Sequence, residues 1–485
     1  MKRPLSSDIR VTGGAIFLLP IATRLPLKFG DQVVNEVTLA RITVEVQTTD
    51  GRHGIGWGET PLNVQWGWPA NLSYQRRHDA MVRAATASAQ ALYEITEPGH
   101  PMELGVLFRR EYLDDIAHNA GDEETGPVPE LAALIAASAS DLAVHDAYGN
   151  ALHLDTYKTY DKHHMRSDLV DLFGSELRPE DQGLFAGRWP ADFLELSPST
   201  TLSAWHLVGG LDPLEQEELQ GTEPNDGYPI LLADWIQQDG LQCLKIKLRG
   251  NDITWDIERL QRVGRIGLAN GVKHFCADFN CMVTDPSYVH AALDSLSKSD
   301  PDIASCLLYV EQPFPYDLDA NPIDVHSLSS RMKLFLDESA HDWRQISHGF
   351  ELGWNGVALK TCKTQTGALL SLAWARAHKM DIMVQDLTNP MLAAIPHVRL
   401  AAHANTLAGV ETNAMQFYPA ASQLEAHIHP RLYERRHGKI DIGSLSGSGF
   451  GMRVEEINRL LPKPHAVFGS LRQDSWNSKT VSRVQ

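Results

Sequence analysis

From residue 202 onward, short apolar runs alternate with amphipathic stretches about one helix long. The runs cover 202–208, 243–248, 274–279, 306–310, 333–336, 356–359, 381–384 and 409–411, and the stretches include 253–266, 286–297, 342–352 and 366–379. Strands that alternate with helices predict parallel βαβ units. Eight such units fit a closed barrel better than an open sheet. Upstream the pattern differs. Residues 8–60 are β-rich: 35–48 is dense in β-branched residues, Asp50-Gly51 is a turn signal, and 54–59 can return as a second strand. Residues 73–95 and 128–152 carry helical patterns, the second Ala-rich. This order predicts an α+β module over residues 1–155. Residues 156–200, rich in Asp, His, Pro and Ser, show no long period and predict an ordered insertion or a long surface loop. The barrel is expected over 201–415. A C-terminal segment, 416–485, carries the Gly-rich run Ser446-Gly447-Ser448-Gly449-Phe450-Gly451.

Composition narrows the class. The 485 residues are 43% hydrophobic and 21% charged, with a net charge of −18. That is a soluble globular composition, and its negative surface disfavours nucleic acid. No apolar run approaches the roughly 18 residues that span a bilayer. The N-terminal Met1-Lys2-Arg3-Pro4 is not followed by an apolar stretch, so no secretory signal is expected and a cytoplasmic location is. Cys243, Cys276, Cys281, Cys306 and Cys362 lie in the second half, most of them inside apolar runs, and are expected as reduced, buried thiols. The absence of any CxxC pair disfavours zinc.

The candidate chemistry lies at the strand ends. The second to sixth runs end in Lys247, Asp278, Glu311, Asp337 and Lys360, spaced 31, 33, 26 and 23 residues apart, about one βα unit each. Lys245 and Lys247 are one residue apart and so point to the same side of their strand. C-terminal strand ends converge on one mouth of a barrel. Three carboxylates from neighbouring strands repel one another and call for a divalent cation, and all-oxygen ligation suits Mg²⁺. A lysine on each flank, its pKa lowered by the cation, can act as a base toward the α-proton of a carboxylate substrate. A single charged strand end is commonly a solvated terminus or a helix cap, and Asp337-Glu338-Ser339 is the most cap-like of the five, with Ser339 able to cap the next helix.

With these residues in order, the chain resembles the enolase superfamily, in its mandelate racemase/muconate-lactonising branch. Gly56-Trp57-Gly58-Glu59 is similar to the family's capping-domain hairpin. Residues Ser138 to Ala147 resemble its helix before the barrel. The Lys-x-Lys, Asp-x-Asn, Glu-Gln-Pro and Asp-Glu-Ser motifs follow in family order, and Gly447 to Gly451 resembles the C-terminal return to the cap. The resemblance implies an α/β fold: a modified TIM-type (β/α)7β barrel with an N-terminal α+β capping domain. It implies Asp278, Glu311 and Asp337 as ligands of one Mg²⁺, with Mn²⁺ a possible substitute. It implies Lys247 and Lys360 as opposing acid/base groups, with Lys245 beside them to orient the substrate carboxylate or tune a pKa. A sixth-strand lysine resembles the muconate-lactonising subgroup, and Met383-Val384-Gln385-Asp386 lacks the seventh-strand His of the other subgroup. The implied activity is that of an isomerase or lyase that forms a metal-stabilised enediolate from a small carboxylate. Acid-sugar dehydration and a non-catalytic binding role on the same fold are the alternatives. The family is often multimeric, so a homo-oligomer is expected.

Departures from the family pattern concern substrate choice. Gln365-Thr366-Gly367 replaces the usual double Gly, and Val410-Glu411-Thr412-Asn413 lacks the Asp-x-Asp of dipeptide epimerases. Candidate substrate contacts are Asn280, Asp386, Asn389 and Glu411 at the mouth, with Arg24, Lys28 and Trp66 from two cap loops. Arg24 and Lys28 could meet an anionic group, and Trp66 and Trp68 an apolar one. Alternatively the arginine and lysine are solvated and the tryptophans pack between cap and barrel. His163-His164 and His427-Ile428-His429 lack a third ligand and are expected as ordinary surface histidines. The glycine-rich run follows no βα nucleotide unit and is not a phosphate cradle.

Overall fold

A computed structural model describes residues 4–29 and 32–471. Three antiparallel strands open the chain: β1 (Ile9–Phe29), β2 (Gln32–Thr48) and β3 (His53–Pro61). Asp50-Gly51 makes the turn into β3, with Gly51 at φ +91°. Helix α1 (Tyr74–Glu94) and helix α2 (Glu130–Leu152) cover this sheet. Two further helices between them, Pro101–Glu111 and Leu113–Ala120, were not expected from the pattern. The first is capped by His100, whose Nδ1 accepts from the Met102 amide while Glu103 accepts from the His100 amide. No Ser, Thr, Asp or Asn announces it.

Helix α2 is buried along almost its whole length, because β3 lies flat against it. The contact is made of small residues. A Cβ at Gly56 would stand 2.1 Å from the Ala147 nitrogen, one at Gly58 2.0 Å from the Ala139 carbonyl, and one at Gly54 2.3 Å from the Ala147 carbonyl. Alternate glycines of one strand thus meet alanines spaced four residues apart on one helix, Ala139, Ala143, Ala147 and Ala151.

Eight parallel strands follow: β4 (Thr201–Val208), β5 (Cys243–Lys247), β6 (His274–Asp278), β7 (Leu307–Glu311), β8 (Lys333–Leu336), β9 (Gly356–Leu359), β10 (Asp381–Val384) and β11 (Val410–Glu411). They pair in sequence order, and β11 pairs with β4 to close the barrel. Helices lie between successive strands, as in a (β/α)7β barrel. Trp205, Cys243, Cys276, Tyr309, Phe335 and Met383 pack together inside. Strand β12 (Lys439–Asp441) adds to β4, and β13 (Ala466–Gly469) adds to β1, so the C-terminal segment touches both layers.

Residues 156–200 are not a loop over the surface. They form short helical turns whose Tyr157, Tyr160, Phe173, Phe185 and Phe193 are buried in the same apolar core as the barrel helices. Helix α3 (Gln365–Ala377) is one neighbour. The glycine-rich run docks on α2: Asp146 accepts from the backbone of both Trp57 and Phe450. One carboxylate thereby joins β3, α2 and the C-terminal return.

Gly56→Ala forces backbone apart in this seam and is expected to lower stability by about 1–3 kcal/mol, whereas Gly183→Ala, with open space around its Cβ, changes it by less than about 1 kcal/mol. Urea unfolding followed by circular dichroism checks both.

Candidate active site at the barrel mouth

Strand register brings the charged ends together. Lys247 is the Cα partner of Asp278, and Asp278 of Glu311. Glu311 is level with Phe335, so Asp337 stands two residues farther along on the same face. Lys360 follows β9 directly. All five predicted strand-end charges, and Lys245, are buried: Lys247 and Lys360 are 4% exposed, Lys245 2% and the three acids 1% or less.

Ammonium groups hold the acids. Lys245 Nζ donates to Glu311 Oε1 at 2.5 Å and to Glu411 Oε2 at 3.1 Å, and lies 3.2 Å from Asp278 Oδ2. Lys247 also donates to Asp278, and to Asn280 Oδ1 at 2.9 Å. Lys360 Nζ is 3.1 Å from Asp337 Oδ1. Lys363, unforeseen from the sequence, is buried beside it and donates to the Asp337 carbonyl at 2.5 Å. Gln385, also unforeseen as a site residue, accepts from Lys245 and Lys360 and donates to Glu311 Oε2 at 2.6 Å. The signal for both was positional: Gln385 ends β10 as Lys360 ends β9, and Lys363 lies one turn after Lys360.

Electrostatics follow from burial and proximity. Burial pushes the Glu311 carboxyl well above the usual range against the pull of Lys245, and Asp278, Asp337 and Glu411 push the same way. Burial acts likewise on Asp278, but Lys247 and Lys245 hold it well below that range. Burial works against the charge on Lys245, Lys247 and Lys360, and the acids overcome it, so these amines hold their protons more tightly than a free lysine. Lys363 is the exception: burial keeps it below the ordinary lysine value despite Asp337. The lowered lysine expected from the sequence requires a cation to offset the carboxylates.

The other predicted contacts divide. Trp66 reaches the centre: its Nε1 donates to Glu338 Oε1 at 2.9 Å, and its ring faces Lys360 and Lys363 at 5.3 and 5.5 Å. Asn280, at φ +52°, holds Lys247 and the Leu248 carbonyl. Glu411 holds Lys245. Asp386 and Asn389 tie loops through their side chains, Asp386 accepting from the Asn389 and Asn413 amides and Asn389 donating to the Ala393 carbonyl, while the Asp386 carbonyl accepts from Lys360 Nζ at 3.4 Å. Arg24 lies on the arm that β1 and β2 extend beyond β3, and its guanidinium is committed to Asp226 at 2.7 and 2.8 Å. Lys28, farther along the arm and half-buried, shares no hydrogen bond or ion pair with the acid cluster among the described residues. Trp68 is buried packing. Ser339 does not cap the next helix. Asp342 does, while Ser339 and the Asp337 amide are gripped by Gln312. His429 is not a surface residue but is fully buried on Ser444 and the Met452 carbonyl.

The donor set suits a hard divalent cation: it is all oxygen, from three strands, and Asp337 Oδ1 is a buried oxygen with no hydrogen-bond partner. Asp278, Glu311 and Asp337 would hold such an ion. As placed, they are wrapped on ammonium groups, and among the described residues no three His, Cys, Asp or Glu side chains are arranged to hold a metal.

Residues 230–457 match the family model described as enolase C-terminal domain-like. This part of the chain is an enolase C-terminal-like domain. No curated protein matches the sequence. The chain is similar to the solved structure of muconate lactonizing enzyme from Mycobacterium smegmatis, complexed with muconolactone, at 16% identity and TM-score 0.59, covering 91% of this chain and 96% of that one. It is similar to N-succinyl Arg/Lys racemase from Bacillus cereus at 15% identity and TM-score 0.58, covering 95% of this chain and 100% of that one. It is also similar to a dipeptide epimerase from Enterococcus faecalis, complexed with Mg and L-Leu-L-Tyr, at 15% identity and TM-score 0.58, covering 91% of this chain and 99% of that one. These likenesses extend over the cap as well as the barrel and establish the fold. Among the described residues no helix is long and apolar enough to cross a membrane.

Trp66→Phe keeps the ring but leaves Glu338 without its indole donor. A loss of about 1–2 kcal/mol in thermal stability is expected, with the circular dichroism spectrum unchanged.

Proposed function

We propose that the protein is a divalent-metal-dependent isomerase or lyase that removes the α-proton of a small carboxylate, with Lys247 and Lys360 as opposing acid and base. The observation that carries this reading is the pairing of two buried lysines with opposite ends of one acid cluster: Lys247 on Asp278, Lys360 on Asp337. A substrate carbon between them would present one face to each amine. One lysine takes the proton, and the other returns it to the opposite face or assists a leaving group. Asp278, Glu311 and Asp337 would hold Mg²⁺, which supplies the positive charge that offsets a dianion developing on the substrate carboxylate. Gln385 aligns Lys360 and Asn280 aligns Lys247, while Trp66 covers Lys360 from the cap side and excludes water there. The dipeptide, N-succinyl amino acid and muconolactone in the names of the similar structures motivate the substrate classes to screen.

Incubation in D₂O with Mg²⁺ and a panel of dipeptides, N-acyl amino acids and acid sugars, read by proton NMR, is expected to show α-proton exchange that a chelator abolishes. Lys247→Ala and Lys360→Ala should each lower exchange by about 10²–10⁴-fold. Exchange that survives both substitutions would refute the two-base assignment. A 2-keto acid product in place of exchange identifies dehydration.

A further inference from the structure

We propose that Lys245 is a resident counter-ion: its ammonium fills the space among the acids that a divalent cation would take, and it withdraws toward Glu411 when the cation binds. The proposal rests on the metal reading of Asp278, Glu311 and Asp337 given under Proposed function.

The geometry singles out Lys245 among the four buried lysines. Among the described residues, Lys247 forms an ion pair with Asp278, and Lys360 and Lys363 with Asp337. Lys245 emerges two residues before the end of β5, one layer deeper in the barrel, and its Nζ contacts acids from three strands: Asp278 of β6, Glu311 of β7 and Glu411 of β11. Gln385 Oε1 is a fourth acceptor at 3.3 Å. An ammonium has three protons, so four acceptors compete for them, and the amine can release Glu311 and Asp278 while keeping Glu411 and Gln385. Those two do not depend on it for position. Glu411 accepts from Asn413 Nδ2 at 2.6 Å through its other oxygen, and Gln385 is held by Glu311 and Tyr309 through its amide nitrogen.

Charge supplies the reason for such a device. Buried acids repel one another and raise the cost of folding unless positive charge is at hand. An internal ammonium provides it before any cation arrives. Cation uptake is then an exchange in which the divalent ion replaces the ammonium between Asp278 and Glu311, and Glu411 receives the displaced charge.

A double-mutant cycle of calorimetric Mn²⁺ titrations tests this on the full-length protein, using Lys245→Met, Glu411→Gln and the double variant. Lys245→Met is expected to bind Mn²⁺ about tenfold more tightly than the wild type, Glu411→Gln about tenfold more weakly, and the Glu411→Gln penalty should shrink below about twofold when Lys245 is absent. Simple repulsion between nearby charges predicts instead that the two effects add. Additive effects, or no gain in Lys245→Met, overturn the proposal. Lys245→Gln, which keeps a polar head for Glu311, replaces the methionine variant in the cycle if that variant fails to fold. Absence of Mn²⁺ binding by the wild type would defeat the metal reading itself; binding without coupling defeats the counter-ion alone.

Discussion

Repulsion among acids converging on one barrel mouth is the constraint around which the site is organised. Asp278, Glu311, Asp337, Glu338 and Glu411 are all at least nine-tenths buried there. Water cannot screen them, so their charge is met by four buried lysines, by the Gln385 side-chain amide, by the Asn280 backbone amide and by the Trp66 indole. Nearly every polar residue at the mouth is explained by this balance. It also explains the direction of the lysine shifts, because carboxylates at 2.5 to 3.2 Å outweigh the cost of burying an amine.

The centre is held from outside the barrel. Helix α2 presents two acids with different tasks. Asp146 fastens β3 and the C-terminal return through two backbone amides. Asp141 accepts from both the amide and the hydroxyl of Thr366, at the start of α3, six residues past Lys360. Thr364, just before, is held at φ +73°. The loop bearing Lys360 and Lys363 is thus fixed by the cap's central helix, whose approach to β3 needs the Gly54, Gly56 and Gly58 seam. A network in which buried Arg41 meets buried Glu59 and Glu425, joined at Glu425 by the half-buried Arg459, ties the C-terminal segment to the same sheet.

The barrel was legible because its signal is local and repeated. Each apolar run is a strand buried on both faces, and each charged end follows from alternation along the strand. Segments without that repetition left their packing open. Residues 156–200 lack periodicity because they fold as short turns, yet their aromatics enter the core. The helix at Pro101–Glu111 has a histidine cap, and His429 is buried by backbone and serine partners that lie 15 and 23 residues away.

By itself the sequence determined that eight strands alternate with helices, and that Lys247, Asp278, Glu311, Asp337 and Lys360 end five of them in succession. Period and spacing are properties of the chain alone. Only the tertiary structure decided which groups share a partner. That Arg24 pairs with Asp226, that Lys245 rests among Asp278, Glu311 and Glu411, and that Lys363 and Gln385 join the centre depend on contacts between residues far apart in sequence. Electrostatic energy depends on distance and burial, and neither exists until the barrel has closed.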